Sequence, residues 1–193
     1  MKNRNRCKWC EKDPLYIKYH DNEWGTPLHD EQKLFEFLIL ETFQAGLSWI
    51  TVLRKRESFR KAFDHFDYNK VALYDEDKIQ ELLQDAGIIR NKLKVRATVS
   101  NAQAFLEVQE EFGSFDKYIW SFVGGTPIQN KWETTKELPA TTEISDLLSK
   151  DLKKRGFKFV GSTVVYAHMQ ATGMVNDHTI DCFRYDELTR NAI

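Results

Sequence analysis

The chain lacks an excess of charge of either sign. Its 28 lysines and arginines nearly balance 29 aspartates and glutamates, leaving a net charge of −1. No global field therefore marks it for nucleic acid or for a membrane surface, and any such footprint must be local. Long apolar runs are missing too. None approaches the roughly 18–20 residues that a bilayer-spanning helix needs, so no membrane partner is expected. The basic start, MKNRNRCKWC, leads into KDPLYIKYHD rather than into an apolar signal region, so secretion is not expected either. Cysteine is scarce. The three present, Cys7, Cys10 and Cys182, make an odd count that excludes a fully paired disulfide framework and suits a reducing cytosol. No repeat, low-complexity tract or long linker divides the 193 residues, which read as one domain, 1–193, large enough to bury a core.

What is present is helical periodicity. DEQKLFEFLILE places Leu34, Phe37, Leu38 and Leu40 on one face behind an Asp30 N-cap. After a break at Ala45-Gly46-Leu47-Ser48, WITVLRKRESFRKAFDHF reads as a second helix. A third runs from near Glu76 to Asp85, with Gly87 as its stop. NKLKVRATVSNAQAFLEVQEEF is a long amphipathic helix ending before Gly113, and Ser114 is placed to cap a short helix carrying Tyr118, Ile119 and Trp120. GGTPIQNKWETTKELP breaks the pattern and reads as an extended loop. Periodicity resumes in SDLLSKDLKKRG and STVVYAHMQATG. The expected architecture is a single all-α domain of about eight to ten helices.

Three constellations could carry chemistry. His178 and Cys182 are four residues apart, on one face if that stretch is helical. Cys7, Cys10 and His20 cluster at the other end of the chain. Four such ligands would make a closed, structural zinc site joining the terminal segments. The alternative is a buried thiol and a hydrogen-bonded core imidazole, and the spacing does not choose between Cys7 and Cys10. Second, Glu41 continues the Leu34/Leu38 stripe and so faces apolar surroundings, where a carboxylate is costly and its pKa rises. With Tyr16, Tyr19, Trp24 and Trp49 from flanking segments it would form a receptor for a flat cation. Otherwise its head reaches solvent past core aromatics. Third, KKRGFKFVGSTVVYAHM reads as a helix, a turn between two glycines, and a new helix starting at Ser162. In such a hairpin, near 155–162, unpaired N–H groups at Gly161 and Ser162 would seat a phosphate, with Lys153, Lys154, Arg155 and Lys158 adding positive charge. The plainer reading is a turn between core helices with a solvated charged face.

At these residues a family becomes visible. Across DPLYIKYHDNEWG, QAGLSWITVL, QDAGIIRNK, LKKRGFKFVG and VNDH, from about Cys7 to Phe183, the chain strongly resembles the 3-methyladenine DNA glycosylase I family. These are bacterial base-excision repair enzymes of the helix-hairpin-helix superfamily. The resemblance implies a monomeric, cytoplasmic, monofunctional glycosylase acting on alkylated double-stranded DNA. It would flip out 3-methyladenine, hydrolyse its N-glycosidic bond and release the free base. One structural Zn2+ is implied, held by Cys7, His20, His178 and Cys182, with Cys10 left over. Glu41 corresponds to the base-recognition carboxylate and Trp49 to the stacking tryptophan. Tyr16 and Tyr19 lie beside the base, with Trp24 among the same aromatics. Gln44, Gly46 and Leu47 correspond to the loop that fills the gap in the duplex, and Lys158, Gly161 and Ser162 belong to the phosphate-binding hairpin. Asn176 stands where the superfamily usually has an aspartate, and Ser162 follows the hairpin where bifunctional relatives carry a lysine. Rival classes are a non-catalytic helical DNA-binding module and a zinc hydrolase; four protein ligands would leave the latter no open metal position.

Overall fold

The computed structural model describes residues 4–190, and ten α-helices lie within them. They are α1 (Pro14–Asn22), α2 (Glu31–Gln44), α3 (Trp49–Ala62), α4 (Tyr68–Val71), α5 (Glu76–Gln84), α6 (Lys92–Phe112), α7 (Phe115–Ser121), α8 (Glu143–Lys154), α9 (Ser162–Ala171) and α10 (Phe183–Arg190). Side-chain caps set most of the starts. Asp13 accepts from Leu15 N–H with Pro14 in the first turn, Asp30 from Lys33 N–H at 2.9 Å, and Ser114 from Lys117 N–H at 3.0 Å. Asn91 accepts from both Leu93 and Lys94 N–H at the head of α6, which ends at a left-handed Gly113.

Helix α2 is the axis of the fold. Every residue from Leu34 to Phe43 is buried, so the expected one-sided stripe is in fact a helix covered all round, with α3, α6, α7 and α9 packed against it. This places two carboxylates, Glu36 and Glu41, in the interior. Glu36 is paired with Arg56 at 2.5 Å and Arg60 at 2.9 Å. Glu41 has no such partner among the described residues.

Several expectations need correction. The second helix stops at Ala62 rather than running to Phe66, because Asp64, His65 and Phe66 all take positive φ in a single 3-10 turn. That reversal stacks the Phe63 and Phe66 rings 6.0 Å apart in the core. The third helix ends at Gln84, and Gly87 is no left-handed stop. A Cβ there would lie 3.0 Å from Ser58 Cβ of α3, so its job is close packing. The loop 124–139 is not wholly irregular: β1 (Ile128–Gln129) pairs in parallel with β2 (Val175–Asn176), and Trp132 bridges to Thr179 beyond it. His178 and Cys182 are not on one helix face. They sit in a turn closed by Cys182 N–H donating to Thr179 O at 2.8 Å, with α10 starting one residue later.

Candidate active site and metal centre

The termini meet at a cluster of four donors. Cys7, His20, His178 and Cys182 are fully buried, and their ligand atoms all lie within 4.8 Å of one another, a group that could hold a metal ion. Cys7 Sγ is 3.6 Å from His178 Nδ1, and Cys182 Sγ is 3.5 Å from both His178 Nδ1 and His20 Nε2. The outer ring nitrogens are occupied. His20 Nδ1 lies 2.9 Å from Asp21 Oδ1, and Arg6 holds Asp21 in turn at 2.8 Å. His178 Nε2 lies 3.0 Å from the Trp24 carbonyl. Carboxylate and carbonyl accept only, so each imidazole carries its proton outward and turns a lone pair into the cluster. Cys10 is buried nearby but outside the group, its thiol donating to the Cys7 carbonyl at 3.1 Å. The geometry therefore favours Cys7 over Cys10, and does so through a turn rather than a helix at the other terminus.

A cavity of about 210 Å³ opens beside this cluster. Its walls are Trp9, Tyr16, Tyr19, Trp24, Glu41, Gln44, Trp49, Leu138, Ala167 and Gln170. Six of the expected site residues thus converge: Tyr16, Tyr19, Trp24, Glu41, Gln44 and Trp49. The rings of Tyr19 and Trp49 lie 5.6 Å apart, and Trp9 packs edge-on against Tyr16 and Trp24 at 5.3 and 5.1 Å. Tyr16 is held by its hydroxyl, which accepts from Ile50 N–H at 3.0 Å in the first turn of α3. Glu41 is 3% exposed and its Oε2 has no hydrogen-bond partner among the described residues. Burial alone pushes its carboxyl up to about 8. A larger cleft of about 610 Å³ also touches Tyr19, but its acids, Glu23 and Glu57, are matched by Arg56 and Arg60.

The remaining predicted residues are not among those that line the cavity. Gly46 takes φ +85° in an exposed turn after α2, a conformation that favours glycine, and Leu47 next to it is 43% exposed. Lys94 anchors this turn, its buried ammonium donating to the Phe43 and Ala45 carbonyls at 3.0 and 2.9 Å. On the hairpin, α9 begins at Ser162 with Gly161 as a cap that offers no side chain. A Cβ on Gly161 would meet nothing within 4 Å, so its outer face is open. Lys158 is exposed, with its backbone fixed by Asn101 on both N–H and C=O. The Ser162 hydroxyl is engaged by Ser145 at 2.8 Å. Arg155 is not free positive charge, because Asp151 and Glu111 hold it.

The sequence reading missed Trp9, Leu138, Ala167 and Gln170. Trp9 lies within the Cys7–Cys10 segment and could have been found as an aromatic near the ligands. The other three carry no pattern of their own. Helix α9 joins the two regions: from Ser162 to Ala167 is about 7.5 Å of helix rise, so the hairpin amides lie little more than one turn from the cavity wall.

A helix with an open N-terminus whose later turns wall an aromatic slot, an acid in that slot, and an exposed leucine three residues after Gln44 in its wall together outline a helical DNA glycosylase. The chain belongs to the methyladenine glycosylase family, whose model it matches over residues 9–185. It is 53% identical over 180 residues to DNA-3-methyladenine glycosylase 1 of Escherichia coli, covering 93% of this chain and 96% of that one. The crystal structure of a 3-methyladenine DNA glycosylase I superposes with a TM-score of 0.90 at 51% identity, covering 93% of this chain and 98% of that one. A structure describing 3-methyladenine recognition by the Staphylococcus aureus enzyme gives a TM-score of 0.90 at 39% identity, over 93% and 96% of the two chains.

Proposed function

We propose that this glycosylase binds double-stranded DNA as a monomer, turns an N3-methylated adenine into the aromatic slot, and hydrolyses its bond to the sugar. The observation that carries this reading is Glu41, a buried carboxylate with no partner among the described residues, in the wall of a base-sized cavity. A neutral purine could hydrogen-bond the carboxyl but would give its ionised form no compensating charge. A cationic purine with an exocyclic amino group supplies both charge and a donor.

The steps follow from the walls. A stacked base is out of reach in the duplex, so it must be extruded, at a cost of a few kcal/mol that is least for a damaged base. Leu47 enters the gap from the Gly46 turn while N–H groups at Gly161 and Ser162 hold the backbone phosphate, with Lys158 nearby. Tyr16, Tyr19, Trp24 and Trp49 enclose the ring, and Gln44 borders it. The approaching cation draws the Glu41 carboxyl back down, so the acid ionises as it accepts from the amino group. Methylation at N3 has already weakened the glycosidic bond. When that bond breaks, its electron pair goes to the base and cancels the positive charge. Water adds to the sugar carbon, its proton passes to solvent, and neutral 3-methyladenine leaves.

No strong general base is required, and none is offered by the neighbouring segment. Asn176 donates to Gln129, and both oxygens of Asp177 are fully engaged by other donors. Ser162 supplies no amine for a Schiff base, in keeping with a monofunctional enzyme.

Cys7, His20, His178 and Cys182 fit one structural zinc ion. With metal–sulfur bonds of about 2.3 Å and metal–nitrogen bonds of about 2.0 Å, a tetrahedron has sulfur–nitrogen edges of about 3.5 Å. The observed separations of 3.5–3.6 Å match. When bound, zinc supplies a cross-link between the terminal segments. Four protein ligands give it no part in the hydrolysis. Among the described residues no helix is long and apolar enough to cross a membrane, and a cytoplasmic place beside bacterial DNA belongs to the same proposal. The direct test is incubation with methylated duplex DNA and separation of the released bases. Release of 3-methyladenine supports the reading, and intact methylated DNA contradicts it.

A further inference from the structure

Asp177 lies one residue before the ligand His178 and is 1% exposed. Its carboxylate accepts four hydrogen bonds. Asn130 Nδ2 at 2.7 Å and Trp132 Nε1 at 2.8 Å reach Oδ1, while the Tyr166 hydroxyl at 2.6 Å and Gln170 Nε2 at 2.7 Å reach Oδ2. All of its lone-pair capacity is used, which removes it from any role as base. One of the four donors, however, belongs to the cavity wall.

A carboxylate only accepts, so the Gln170 amide must turn its NH2 toward Asp177. Its carbonyl oxygen Oε1 is then the end left for the cavity that Gln170 lines together with Glu41. No group among the described residues donates to that oxygen. We propose that Gln170 is a specificity residue for the reaction and Asp177 the positioning residue that fixes its orientation, so that the slot presents a second acceptor to the purine edge. The inference rests on the 3-methyladenine reading and adds a selection rule to it. Adenine offers an amino donor at that edge, whereas guanine offers a carbonyl, which would face Oε1 lone pair to lone pair. Glu41 and Gln170 together would favour 3-methyladenine and reject 3-methylguanine.

The network also says what a single atom exchange would do. In Asp177→Asn, the Trp132 indole can only donate, so the new side chain keeps its carbonyl there and puts its NH2 toward Tyr166 and Gln170. The tyrosine hydroxyl can turn and accept. The glutamine can do so only by flipping, which sends its own NH2 into the cavity. A structural defect would lower excision of both bases together; a flipped amide would move them apart.

The experiment measures release of 3-methyladenine and 3-methylguanine from methylated poly(dA)·poly(dT) and poly(dG)·poly(dC) by the parent, Gln170→Met, Asp177→Asn and the double variant. For Gln170→Met the ratio of the two rates should fall about three- to tenfold, the range of one neutral hydrogen bond. Asp177→Asn should lower it further, and the double variant should match Gln170→Met alone, because the aspartate acts only through the glutamine. Parental release of 3-methyladenine is the separate control on the activity itself. A parental ratio in either single variant overturns the inference while leaving that activity standing. If one variant does not fold, the other still decides.

Discussion

Replacing Glu41 should move stability and activity in opposite directions. Helix α2 buries two carboxylates, and Glu36 is neutralised by Arg56 and Arg60 while Glu41 is not. Burial raises the Glu41 carboxyl from 4.5 to about 8. In the unfolded chain the group ionises near the lower value; in the folded protein it keeps its proton until the higher one. The contribution is therefore complete below about pH 4.5 and is lost as pH rises toward 8. At about 1.4 kcal/mol per unit, the full window is worth roughly 4–5 kcal/mol, and roughly 3 kcal/mol is already gone at neutral pH. Glu41→Gln keeps the shape and cannot ionise. It should melt with the parent at pH 4.5 and outlast it at neutral pH by about 3 kcal/mol, about 6–12 °C for a domain of this size. Excision of 3-methyladenine should fall by the worth of a charge-assisted bond, about 1.5–3 kcal/mol or roughly tenfold to a hundredfold. Thermal melts across the pH window and single-turnover excision read both. Parallel stability curves for the two proteins would refute the buried-acid argument, and parental excision would refute the recognition role.

Further outcomes follow from the other sites. His178→Ala and Cys182→Ala should each abolish stoichiometric zinc, measured by elemental analysis, and lower stability by more than about 3 kcal/mol. Cys10→Ser should be mild, and a metal-free Cys10→Ser protein would reassign the ligand set. Placing leucine at Gly161 should weaken binding to any duplex, damaged or not, because its open outer face is where a phosphate must approach. Parental affinity should decline steadily with added salt as counterions are released, and binding that ignores salt would argue against the hairpin surface. Lys94→Met frees the Phe43 and Ala45 carbonyls. It should slow excision by loosening the Gly46-Leu47 turn while leaving 3-methyladenine binding, followed by tryptophan fluorescence, close to parental.

The long helices were legible because their caps and apolar spacing are local. Asp30, Ser114 and Gly113 do what their residue types suggest. What escaped depends on partners distant in sequence. The two-residue strands are too short to show alternation, and they exist because segments 128–132 and 175–179 lie side by side. The His178–Cys182 spacing fits a helical turn, yet the segment is bent by its own Thr179–Cys182 hydrogen bond. The four metal-binding candidates became a single set through the family resemblance, since no spacing links Cys7 to Cys182; the geometry then separates Cys7 from Cys10. Glu41 was conspicuous as an acid in an apolar pattern. Gln170 was not, because a glutamine on a helix carries no signal until its amide is seen bound to a buried carboxylate.

On the proposed reading, a slot whose one carboxylate has no partner among the described residues selects a cationic adenine and lets water complete the cleavage. The decisive measurement incubates the parent and Glu41→Ala with the same methylated duplex and identifies every base released over time. The parent should release free 3-methyladenine, the variant should do so at a strongly reduced rate, and both proteins should bind undamaged duplex with equal affinity. Release of 3-methyladenine by Glu41→Ala at the parental rate would contradict that reading.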